Sequence, residues 1–466
     1  MTTENLARFS ADQLLNDELV KPLANSSYSS ISASYRAPSE DSPKDSPKGD
    51  NLTSQGSKGE DVLSFNIGDE GKLTHPLTVG SDMYGINSYP VPFFSANAVQ
   101  VQPLADESGP KTYYISPTGN DSNSGTSETS AWKSLSKINR LDLNPGDKVL
   151  LQGGYTYSGN LCFTHEDAGT PTAPITISSY GTGRATINAG TGNGIGVYNA
   201  AGYKISNLNI VGAGASPNTW NNVSGIDVIN SLAGNIKLDG ITIDNVDVSG
   251  FGRFGISIGG ANGGSGYQNI RVTNVSTHDN GDSGLATWST STLPVHENMY
   301  VGHVNAYNNR GLALADKPWT AGSGNGIVLA AVRGGTIERS VAFNNGGANR
   351  AGGGGPCGIW AYNSTNIAIQ YNEAYNTRTA NSYDGDGFDL DINVSNSVMQ
   401  YNYSHGNDGA GFVLCDGDNN SQYNTGNTIR YNISENDGRK HNYPGIITYM
   451  NVQNAEIYNN TVFMGP

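Results

Sequence analysis

Cysteine is scarce in this chain of 466 residues, which has only Cys162, Cys357 and Cys415. Three such scattered thiols cannot make a disulfide framework or a zinc site, and each reads as a small packing residue. Positive charge is also in short supply, with 26 Lys and Arg against 41 Asp and Glu and a formal charge of −15. Residues 1 to 110 carry 7 basic against 15 acidic side chains and residues 111 to 466 carry 19 against 26, so both parts are acidic. That balance argues against nucleic acid or an anionic membrane surface as the main partner, because both would be repelled. Long apolar runs are missing too. No stretch approaches the roughly 18 apolar residues of a membrane span. The start, MTTENLARFSADQLLNDELV, is acidic where a secretory signal is basic and then apolar.

What the chain has in quantity is glycine, 61 residues, within an apolar content of only 36%. That composition suits short strands joined by many tight turns. Residues 1–61 are expected to be a disordered, low-complexity segment, being rich in Ser, Pro, Asn, Asp and Lys, with the duplication DSPKDSPKGD and no apolar period. Residues 62–110 hold a few short apolar runs and read as a weakly structured linker.

From Lys111 onward the sequence repeats itself. A glycine followed by apolar-x-apolar recurs at Gly194, Gly225, Gly255, Gly284, Gly326, Gly358, Gly387, Gly411 and Gly445, at steps of 24 to 42 residues that cluster near 30. A second column carries Asn372, Asn402, Asn432 and Asn460, each after an apolar-x-x lead. A unit of that length, with short strands and no helical period, cannot bury both faces alone and must stack on copies of itself. The expected fold is all-β, a parallel β-helix with one coil per repeat over residues 111–466, and the Asn column is an internal amide ladder.

The segment YYISPTGNDSNSGTSETSAWKSLSKI, with LNPGDKVLLQGG and APITISSYG after it, resembles the amino-terminal cap and first coils of the pectate-lyase-like superfamily of right-handed parallel β-helices. The resemblance implies a short capping helix over Trp132 to Ile138 and early strands at Val149 to Leu151 and Ile175 to Ile177. The chain ends at NNTVFMGP, just after a strand signal, so a cap beyond Pro466 is expected.

Side chains along a strand alternate faces, so if the recurring Ile, Leu, Val and Phe point inward, the residues between them point outward. The outward set includes Trp288, Trp360 and Tyr362, then Asp389 and Asp391, then Tyr449. Exposed aromatics flanking paired carboxylates suit a polysaccharide, with ring faces for stacking and acids for chemistry, so these four aromatics are the expected substrate-binding residues. The stretch DGDGFDLD concentrates Asp384, Asp386, Asp389 and Asp391, and Asp408 with His405 is expected nearby on the next coil. Crowded carboxylates repel unless a cation joins them or one holds a proton, and oxygen-only ligands point to Ca²⁺ at Asp384, Asp386 and Asp408.

The same corner resembles family 9 polysaccharide lyases, through Asp386-Gly387-Phe388 and, in part, Asn407-Asp408-Gly409. The resemblance implies calcium-assisted β-elimination on a uronate-containing polymer, but Asp391 stands where those enzymes carry a lysine base. Lys440, Arg439 or His405 is then needed as the base. The main expectation is therefore an extracellular or cell-surface lyase-like enzyme, acting as a monomer, with Asp389, Asp391 and His405 as catalytic residues. The alternatives are a glycoside hydrolase using Asp389 and Asp391, or a non-catalytic polysaccharide-binding β-helix protein.

Overall fold

A computed structural model describes residues 109–216, 222–313, 322–350, 354–380, 383–417 and 423–465. The expected disordered segment, 1–61, and all but the end of the expected linker, 62–110, lie outside the described residues.

Two sheets, parallel throughout, wind along one axis. The first has ten strands in chain order: Leu161–Phe163, Ile195–Tyr198, Ile226–Asn230, Phe254–Gly260, Ser283–Ser289, Asn325–Ala330, Cys357–Tyr362, Asp386–Leu390, Phe412–Cys415 and Ile446–Tyr449. Each glycine-led motif falls on one of the last nine. The glycine is needed where the strand starts close against the other sheet: a Cβ on Gly387 would stand 2.2 Å from Ser404 Oγ in the strand Tyr403–His405. Inside, Ile256, Leu285, Ile327, Ile359, Phe388 and Phe412 follow one another from coil to coil and are fully buried. The Phe388 and Phe412 rings stack at 5.0 Å.

The second sheet, of nineteen strands, supplies the rest of each coil. Its middle strands are long and the later ones are split: His296–Tyr307 pairs with Val332–Glu338 through its first half and with Val341–Phe343 through its second. The bend lies at one column of left-handed residues, Asn274, His303, Arg339, Tyr371, Tyr401 and Tyr431, with φ from 52 to 57°. Asn tolerates that conformation best; the three tyrosines there stack on one another at 5.0 and 5.2 Å.

Directly after the bend runs the expected amide ladder. Asn372 Nδ2 donates to Asn402 Oδ1 at 3.1 Å, Asn402 to Asn432 at 3.1 Å and Asn432 to Asn460 at 3.0 Å. The second N–H of Asn372, Asn402 and Asn432 goes to the backbone carbonyls of Ile337, Ile369 and Met399. Polar turns are thereby satisfied inside an apolar core.

At the amino-terminal end, Trp132 stacks on Tyr113 and is buried with Leu135 and Ile138, closing the core as expected. The helix is shorter and tighter than expected. It is a 3-10 helix over Leu135–Arg140, while Trp132 forms a bridge with Ile115. Val149 to Leu151 and Ile175 to Ile177 lie in the strands Lys148–Gln152 and Ile175–Tyr180, as the resemblance implied.

Candidate active site

The outer face of the ten-stranded sheet carries the expected stripe in register. Asp227, Ser257, Ala286, Val328, Trp360, Asp389, Val413 and Ile447 succeed one another on neighbouring strands. The facing assignment therefore holds, but the exposure assignment does not. Trp288, Trp360 and Tyr362 are only 3%, 8% and 8% exposed, and they form a second apolar cluster with Tyr198, Phe254, Val328 and Cys357. Their polar atoms are engaged in the sheet: Trp288 Nε1 donates to Ser257 Oγ at 3.0 Å and Trp360 Nε1 to Asn325 Oδ1 at 3.1 Å. The Trp288 indole lies over Gly259, where a Cβ would stand 2.2 Å from the ring. Of the four expected aromatics, Tyr449 alone is open to solvent, at 53%.

The acidic stretch enters its strand through a left-handed pair, Asp384 at φ 55° and Gly385 at φ 91°. Asp386 then rests on the next coil, where its Oδ1 accepts from the Ala410 amide and stands 2.2 Å from the place of a Cβ on Gly409. Asp389 and Asp391 follow on the outer face, both buried. One carboxyl oxygen of each is buried without a hydrogen-bond partner. Among the described residues, five of the eight side chains with such orphaned atoms lie between Thr377 and His441: Thr377, Asp389, Asp391, Asn393 and His441. Native interiors rarely leave polar atoms unmet, and Asp389 and Asp391 leave two on the same face of one strand end.

Protonation differs among the four carboxyls. Burial pushes Asp391 up to about 7, aided by the Asp384 charge and opposed by the Ile392 amide and the Cys415 thiol. Burial also holds Asp389 well above the usual carboxylate range, with Asp391, Asp386 and Asp384 adding to it. Asp386 is likewise held high by burial and by Asp384. Asp384, the least buried of the set, is raised by burial and pulled back by a hydrogen bond to the Gly355 backbone.

Asp408 behaves in the opposite way. Burial would raise it, but the Thr379 amide, Lys440 and Arg378 bring it below its ordinary value. Its Oδ1 is 3.0 Å from Arg378 Nη1, and its Oδ2 is 3.0 Å from Lys440 Nζ and 3.1 Å from the Thr379 amide. Both oxygens are committed. Among the described residues, no three His, Cys, Asp or Glu side chains are grouped to hold an ion. Ca²⁺ needs several oxygens converging on one point, and of the expected set Asp384, Asp386 and Asp408 the last has both oxygens on other partners.

His405 lies on the other sheet, in the strand Tyr403–His405. Its ring stacks on Tyr375 and Tyr403, and its Nε2 is 2.9 Å from Glu373 Oε1. The structure thus brings together Asp384, Asp386, Asp389 and Asp391, and assigns His405 and Asp408 other partners. Arg439 Nη2 donates to Asn436 Oδ1 and to the Gly465 carbonyl.

Three residues of the corner escape sequence reasoning. A hydrogen bond joins the Tyr443 hydroxyl to the Asp384 backbone. The Cys415 thiol is within reach of the Asp391 carboxyl and the Asp416 carbonyl, and Cys357 pairs in register with Asp386. Burial and the surrounding carboxylates keep both thiols protonated.

No protein-family model matches the chain. Lacto-N-biosidase of Bifidobacterium longum subsp. longum is 27% identical over 472 residues, covering 80% of this chain and 29% of that protein. The chain thus spans under a third of the length of this relative. A crystal structure of GH136 lacto-N-biosidase from Eubacterium ramulus superposes with a TM-score of 0.54 at 21% identity, over 77% of this chain and 68% of that one. Pectate lyase Pel9A superposes with a TM-score of 0.43 at 16% identity, over 75% of this chain and 79% of that one. The likeness to the Eubacterium ramulus structure, at that identity, is one of fold.

Proposed function

We propose that this β-helix is a glycoside hydrolase that cleaves a glycan at the Asp384–Asp391 corner. The observation that carries the reading is the cluster of carboxyls itself: Asp389 and Asp391 are buried on the outer face, each with one oxygen that has no hydrogen-bond partner, and Asp384 is half-buried on the same stretch. Asp391 keeps a proton up to about pH 7, whereas Asp384 is the least buried and is eased by a backbone hydrogen bond. Burial raises both, and acid-assisted glycoside cleavage requires one carboxyl that keeps its proton beside another that can act as a carboxylate.

In this reading Asp391 protonates the leaving glycosidic oxygen, and the Asp384 carboxylate serves the anomeric carbon. It does so either by direct attack or by taking a proton from the water that attacks. Asp389, whose burial favours its neutral form, offers a hydrogen bond to a sugar hydroxyl. Water ends up divided across the broken bond, its hydroxyl on the anomeric carbon and a proton on the departing sugar. The expected Asp389/Asp391 pair thus becomes a set of three, with the acid role assigned to Asp391.

The lyase reading has less support. β-Elimination needs a base facing the proton to be removed. Each basic side chain expected in that role is engaged elsewhere: Lys440 with Asp408, Arg439 with Asn436, His405 with Glu373. The likeness to a lacto-N-biosidase supports a glycosidase as well, and makes glycans bearing a lacto-N-biose unit the first substrates to test. A glycan substrate in turn favours action outside the cell or on its surface. The deciding assay is product analysis on a glycan panel. Reducing ends without ultraviolet-absorbing unsaturated sugars support hydrolysis; unsaturated products defeat it.

A further inference from the structure

Asp408 is more than an acid turned away from the corner, because the corner is built on it. A Cβ on Gly385 would stand 2.9 Å from Asp408 Cβ, and Asp386 rests on Gly409 and the Ala410 amide. The segment 408–410 is therefore the cradle under the left-handed turn that presents Asp384 and Asp386. The cradle is itself pinned from both sides. Arg378 comes from the coil before and also donates to the Gly406 carbonyl at 2.7 Å; Lys440 comes from the coil after and also donates to the Thr379 carbonyl.

Two cationic side chains thus bring to one carboxylate the charge of a divalent ion. We propose that Lys440, with Arg378, is a built-in cation at Asp408, doing there what a bound Ca²⁺ would otherwise do, and that Lys440 and Asp408 are positioning residues for Asp384 and Asp386. A tethered ammonium serves that role without a binding equilibrium, and it denies Asp408 to a metal. The catalytic part rests on the hydrolase reading; the part about charge and metal does not.

The test compares wild type, Lys440→Met and Lys440→Arg in melting temperature with millimolar Ca²⁺ or chelator, and in kcat and KM on a cleaved glycan. Wild type is expected to melt identically in both media. Lys440→Met is expected to melt lower and to regain part of the loss with Ca²⁺, which can then reach Asp408. Its kcat should fall roughly ten- to a hundredfold with KM little changed, as a small displacement of reacting groups produces. Lys440→Arg should recover most of both. Calcium stabilisation of the wild type, or a Lys440→Met protein equal to wild type in melting and kcat, overturns the proposal. If Lys440→Met does not fold, the calcium response of wild type and the recovery in Lys440→Arg decide. If wild type cleaves no glycan, the hydrolase reading fails, and the melting comparison still decides the charge.

Discussion

Asp389 and Leu390 are adjacent in sequence and face opposite sides of one strand. Leu390 is fully buried inside the coil between Ala361 and Leu414, while Asp389 lies on the outer face between Trp360 and Val413. A single peptide bond separates the core from the candidate chemistry.

The two positions should therefore respond differently to charge. Leu390→Asp puts an unpaired carboxylate among apolar side chains, at a cost of several kcal/mol, and should leave the protein unfolded or insoluble. Asp389→Asn replaces a carboxyl whose charged form its surroundings already oppose and should leave the circular dichroism spectrum and melting cooperativity intact. Equal tolerance of the two changes would reverse the facing of the whole stripe.

That alternation was legible in the sequence because inward side chains recur once per coil behind a glycine that the turn demands. The strand Leu161–Phe163 lacks the glycine and escapes the pattern. A second internal ladder escapes it too. Asn280 donates to Asn309 and Asn309 to Asn345, both at 3.0 Å, and Asn407 donates to Asp437 at 2.8 Å, but mixed residue types and uneven coil lengths hide the column. The exposure of Trp288 and Trp360 was not legible, since a period of two specifies the face of a strand and not what packs on that face. Nor was the Lys440 to Asp408 pairing. It crosses one coil, and with repeat steps of 24 to 42 residues a turn residue cannot be matched to its neighbour by counting.

The visible ladder should carry measurable stability. Asn402→Ala strips partners from the Ile369 carbonyl, from the Asn372 amide and from both amide side chains beside it. Leaving even one such buried group unmet costs about 1–3 kcal/mol, so the melting temperature should drop clearly. Tyr401→Asn, one residue earlier, exchanges an exposed stacked ring for a side chain that suits φ 57°, and should change stability by less than about 1 kcal/mol. A reversed order would place the ladder's weight on the tyrosines outside.

Stability should fall as pH rises through the carboxylate corner. The folded protein holds the Asp391 proton up to about 7 against an ordinary value of 3.8, so between those values the folded state binds more protons than the unfolded one. The penalty is absent below that window and complete above it, on the order of a few kcal/mol shared with the coupled neighbours. Asp408 works in the other sense: its lowered value contributes stability that is lost only as pH falls into the acid range. Asp391→Asn should therefore flatten the decline of melting temperature between about pH 5 and about pH 8. Parallel profiles for the variant and wild type would show that Asp391 is not held in its protonated form.

The chemistry divides the two most informative variants. If Asp391 is the acid and Asp384 the carboxylate at the anomeric carbon, Asp391→Asn should lose most on natural glycans, whose leaving group needs a proton. It should lose far less on an aryl glycoside with a good leaving group, because that bond breaks without protonation. Asp384→Asn should lose both substrates alike, since the anomeric carbon then has no carboxylate in either case. Removing the acid should also move the alkaline limb of the pH profile measured with the aryl glycoside, while the corresponding limb of wild type on natural glycans should fall near pH 7, where Asp391 gives up its proton. The anomer released first distinguishes direct attack from attack through water. Loss of activity confined to Asp389→Asn, with Asp384→Asn fully active, would instead return the role at the anomeric carbon to Asp389, whose own orphaned oxygen lies on the same face.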